Sequence, residues 1–74
     1  MTPTNYRWRK TTDINREYAL FELLADEVSI LDAGFSNTGI FEISFNPKIT
    51  ESLIEWETLR KLIETGKELA EQDR

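Results

Sequence analysis

The sequence predicts an α+β fold: an antiparallel meander of three strands with one C-terminal α-helix packed on one face, and an N-terminal segment able to add a fourth strand. Three observations predict it. Strand-forming residues alternate over Glu17–Leu24, Val28–Phe35 and Ile40–Phe45, as half-buried strands require. Short polar stretches separate these runs. From Glu57 onward the apolar period changes from two to that of a helix.

The first loop lies in Leu24-Ala25-Asp26-Glu27 and the second in Ser36-Asn37-Thr38-Gly39. The second has the stronger turn chemistry, because Asn and Gly tolerate positive φ. Asn46-Pro47 ends the third strand, since proline has no N–H to donate to a strand ladder. Pairing Leu23 with Val28 and Phe35 with Ile40 would fix the faces by two-residue alternation. One face then carries Ala19, Phe21, Leu23, Val28, Ile30, Phe41, Ile43 and Phe45, interrupted by Asp32 and Gly34 at one end. The opposite face carries Tyr18, Leu20, Leu31, Ala33, Phe35 and Ile40 together with Glu22, Ser29, Glu42 and Ser44.

At about 100° per residue, Leu59, Leu62, Ile63, Gly66, Leu69 and Ala70 occupy an arc of roughly 120°, with Glu57, Arg60, Lys61, Glu64, Lys67, Glu68 and Glu71 on the other side. Ser52-Leu53-Ile54-Glu55 reads as a capping box. Leu53, Ile54 and Glu55 nevertheless break the wheel, so the helix is expected over residues 56–72, after an extended lead-in at 53–55. Gly66 on the inner side predicts close approach to a bulky ring on the sheet. One such helix covers one sheet face. The other face becomes the expected docking surface, with Tyr18, Leu20, Leu31, Phe35, Ile40 and Glu42 as its contact residues and another protein or a second copy of the chain as its partner.

Residues 1–74 form a single small domain, divided into an arm or edge strand at 1–16, the meander at 17–45 and the helix at 56–72. Asn5-Tyr6-Arg7-Trp8-Arg9-Lys10 interleaves aromatic and basic residues. It suits either an edge strand guarded by charge or a nucleic-acid arm that stacks bases and neutralises phosphates, with Arg7, Trp8, Arg9 and Lys10 as contacts. Charge argues against the arm. Residues 1–16 balance at +3, and residues 17–74 at −8, which repels phosphate and suits a basic protein partner.

Cysteine and histidine are both absent. This excludes disulfides, Cys/His zinc sites, thiolate nucleophiles and imidazole acid–base chemistry. The glycines fit neither a P-loop nor a dinucleotide fingerprint, and Asp26, Glu27 and Asp32 lack calcium-loop spacing. No cofactor or metal is expected. No stretch approaches the ~18 apolar residues of a membrane span, and no apolar run follows the first basic residues, so no signal peptide and a cytoplasmic location are expected. The expectation for function is a non-enzymatic acidic protein-binding module, a regulator or inhibitor on the scale of immunity proteins, antitoxins and phage inhibitors. Nucleic-acid binding through the arm, or a purely self-assembling subunit, are the alternatives.

Overall fold

The computed structural model describes residues 3–47 and 54–74. Strands β1 (Tyr6–Thr11), β2 (Leu20–Ala25), β3 (Val28–Phe35) and β4 (Phe41–Phe45) precede helix α1 (Trp56–Gln72). They form one antiparallel sheet in the order β1-β2-β3-β4, and α1 packs on it over β3 and β2. The N-terminal segment is therefore an edge strand, and the fold is α+β in two layers.

Local chemistry sets the pairing. Asp26 and Glu27 both take positive φ, +48° and +68°, giving the two-residue turn whose twist matches the flanking strands. Asp26 N–H donates to the Asn5 carbonyl, and its carboxylate accepts from Asn5 N–H. Ala25 thus pairs with Val28, where the sequence led us to expect Leu23. Further along β3, Leu23 pairs with Leu31 but Leu24 with Ser29. Ile30 is the extra residue of a β-bulge, and a bulge reverses the alternation beyond it.

A second one-residue shift occurs at the next hairpin. Gly39, at φ +85°, closes a three-residue loop in which Gly39 N–H donates to Ser36 O and Ser36 N–H donates to Ile40 O. Phe35 consequently faces Phe41, and the expected Phe35–Ile40 pairing is corrected. The two shifts cancel between β2 and β4, so Phe21, Leu23, Phe41, Ile43 and Phe45 do share the helix side. Between them they reverse β3. Leu31, Ala33 and Phe35 turn in under the helix, and Asp32 and Gly34 turn out.

The core follows from this register. Leu23, Ile30, Leu31 and Ala33 cluster with Trp8, Ile54, Leu59 and Leu62 at one end of α1. Phe21, Phe35 and Ala70 cluster with Tyr18 and Leu69 at the other. The α1 Cα of Gly66 lies against the Trp8 ring, where a Cβ would come within 2.5 Å of the indole. The indole N–H donates to the Leu62 carbonyl at 3.1 Å. Lys10 Nζ reaches Asp73 at 2.6 Å and ties the last turn of α1 to β1. The helix begins at Trp56 after an extended Glu55 (φ −59°, ψ 136°), which makes no side-chain capping bond. Ser52 and Leu53 of the expected capping box lie outside the described residues.

Candidate interaction surface

A helix with its side chains is about 10 Å wide, and strands are spaced about 4.8 Å apart. One helix therefore roofs roughly two strands. Because α1 lies over β2 and β3 and reaches toward β1 through Trp8, the outer strand β4 is left at the margin. Its helix-side residues Phe41 and Ile43 are half-buried, and Phe45 is 65% exposed. Val28, at 58%, and Trp56, at 65%, are exposed at the same end of the sheet. Ile40 is exposed where the chain enters β4, and Ile14 stands alone, fully exposed, in the loop between β1 and β2.

Strand β4 also has an unpaired edge among the described residues. Ile40 O and Asn46 N–H both engage β3. Alternation along an antiparallel strand then turns the backbone groups of Glu42 and Ser44 inward. Those of Phe41, Ile43 and Phe45 point outward, away from β3. An edge strand of aromatic and β-branched residues, carrying only Glu42 as a charge, is a template for another strand.

The face away from α1 differs from expectation. It carries Arg7, Arg9, Glu22, Ser29, Asp32, Glu42 and Ser44, with Leu20 beside Gly34. Leu24 shares this side by register but is 2% exposed and adds no apolar surface. Arg7 holds Glu27 through two hydrogen bonds, at 2.8 and 2.6 Å, and Arg9 pairs with Glu22. A hydrogen bond from Ser29, then one from Arg9, hold the Glu22 carboxyl below the usual carboxylate range. Arg7 does the same for Glu27. Partial burial, and then the charge of Glu22, push the Asp32 carboxyl up.

Of the six expected contact residues, Leu31 (1% exposed) and Phe35 (4%) are buried core, and Tyr18 packs beside Phe35 under the helix. The β3 bulge moves Leu31 and Phe35 there. Leu20 and Glu42 do share the open face, around a shallow depression with Arg16 and Asp32. Ile40 is exposed at the turn. In the basic segment, Trp8 is packed against α1, while Arg7, Arg9 and Lys10 each face a carboxylate, so no tryptophan there presents a free ring to a base. Glu22, Asp32 and Glu42 share the open face, but no group of three or more side chains among the described residues could hold a metal ion. No helix among them is long and apolar enough to cross a membrane.

Two-residue alternation assigns Phe41, Ile43 and Phe45 to the covered face and leaves only Glu42 of β4 among the expected contacts, which hides the strand's apolar side as a docking surface. The available signal was geometric: the last strand of a meander is an edge, and one helix is too narrow to cover it. No protein-family model matches the chain, and neither curated proteins nor solved structures yield a match.

Proposed function

We propose that this chain is a non-enzymatic protein-binding module that docks through the outer edge of β4 and the apolar flank beside it. It acts by occupying a partner, as a regulator or inhibitor does, and performs no chemistry of its own. The observation that carries this reading is the exposure of Phe45 beside a strand edge that is unpaired among the described residues. Added-strand recognition uses these two features together: backbone bonds supply affinity, and side-chain pockets supply selectivity.

Phe45→Lys tests the reading, because an exposed side chain can be replaced without opening the core. Wild-type and variant chains are immobilised and exposed to extract from the source cells. A partner retained by the first and lost from the second, with equal thermal melts, is the expected result. Equal retention by both would remove β4 as the docking surface.

A further inference from the structure

We propose that the occupant of the β4 edge is a second copy of this chain, paired antiparallel through Phe41–Phe45 about a two-fold axis at Ile43. This rests on the reading of β4 as a docking edge and names what docks there.

The argument begins with the strand's own symmetry. Phe41-Glu42-Ile43-Ser44-Phe45 is near-palindromic: aromatic ends, a central isoleucine, and polar residues between. Antiparallel pairing about Ile43 sets Phe41 against Phe45 of the second copy, Ile43 against itself, and Phe45 against Phe41. Those are the three residues whose N–H and C=O groups point outward, so each facing pair exchanges both backbone bonds. All three side chains lie on the helix side, and the pairing joins the two half-covered strips into one apolar band between two helices. On the open face Glu42 meets Ser44 of the second copy, and Ser44 meets Glu42. No like charges stand directly opposite, a condition that cross-strand pairs must meet to be stable. The same patch contacts itself, so the assembly closes at two copies. A chain of this size has only a small core of its own, and the joined band adds buried apolar contact to it. The other edge, β1, carries Arg7 and Arg9 on its open-face side and has no such symmetry.

Sedimentation velocity over a concentration series, on the wild-type chain and two Ser44 variants, tests the pairing. The wild type should move from monomer to dimer and stop there. Ser44→Lys places a cation opposite Glu42 at two symmetric positions and should tighten the dimer about five-fold. Ser44→Glu should weaken it by a similar factor, with both variants retaining a cooperative thermal melt. Added salt should strengthen association, since each copy carries −5 and salt screens the repulsion between them. A wild type that stays monomeric throughout, a mass that grows beyond the dimer, or two Ser44 variants that shift the same way would each overturn self-pairing. If self-pairing fails while Phe45→Lys still loses a captured partner, the docking reading survives with another protein's strand as occupant. If capture is also indifferent to Phe45→Lys, both fall.

Discussion

Gly66 and Trp8 show how one residue can set the distance between two layers. Alanine at position 66 would gain about 1 kcal/mol of helix propensity, but its Cβ would sit 2.5 Å from the Trp8 ring, and overpacking costs about 1–3 kcal/mol. Gly66→Ala should therefore destabilise the wild type. In a Trp8→Leu background it should stabilise, and chemical denaturation of the four chains reads that change of sign. Leu31 illustrates burial without a polar partner. Leu31→Asp places an unpaired charge in the core, and the loss should approach the stability of a domain this small, seen as an unfolded circular dichroism spectrum. Asp32 is the opposite case, a carboxylate raised by partial burial and by Glu22. A raised acid pKa means the folded state holds its proton more readily, so ionised Asp32 opposes folding as pH rises through that raised value. Asp32→Asn should raise the thermal midpoint at pH 7. It should make little difference below about pH 3, where the ordinary aspartate is itself mostly protonated.

At the scale of elements, the helix was the most legible part of the sequence. Its apolar arc alone placed the start near Trp56 against a competing capping box, and Gly66 announced a ring that proved to be Trp8. The observed start leaves the first turn without a side-chain cap. Glu55→Ser should add about 0.5–1 kcal/mol, measured as a shift in the urea midpoint at constant m. The strands were legible as strands, but their faces were not. Ile30 and Leu31 are adjacent apolar residues, a break in alternation that marks the bulge. Strict two-residue reading passed over it and placed Leu31, Ala33 and Phe35 outside. Gly39 added a second offset through its positive φ. Each shift is a single residue, and each turns a whole strand over.

Across the whole molecule, four strands share one helix of about two strands' width, and that ratio decides where apolar surface remains. The sequence indicated correctly that one helix leaves something uncovered. It misplaced the remainder on the far face, which is polar and crossed by the Arg7–Glu27 and Arg9–Glu22 pairs. Among the described residues, the sheet's uncovered apolar strip lies at the β4 margin, where outward-pointing backbone groups and Phe45 coincide. Backbone hydrogen exchange of Phe41, Ile43 and Phe45 is the most direct measurement of this claim. Their amides should exchange rapidly in dilute protein and become protected as concentration rises, while those of Glu42 and Ser44, bonded inward to β3, stay protected throughout. Fast, concentration-independent exchange of the three outward amides would contradict pairing of β4 with a second copy.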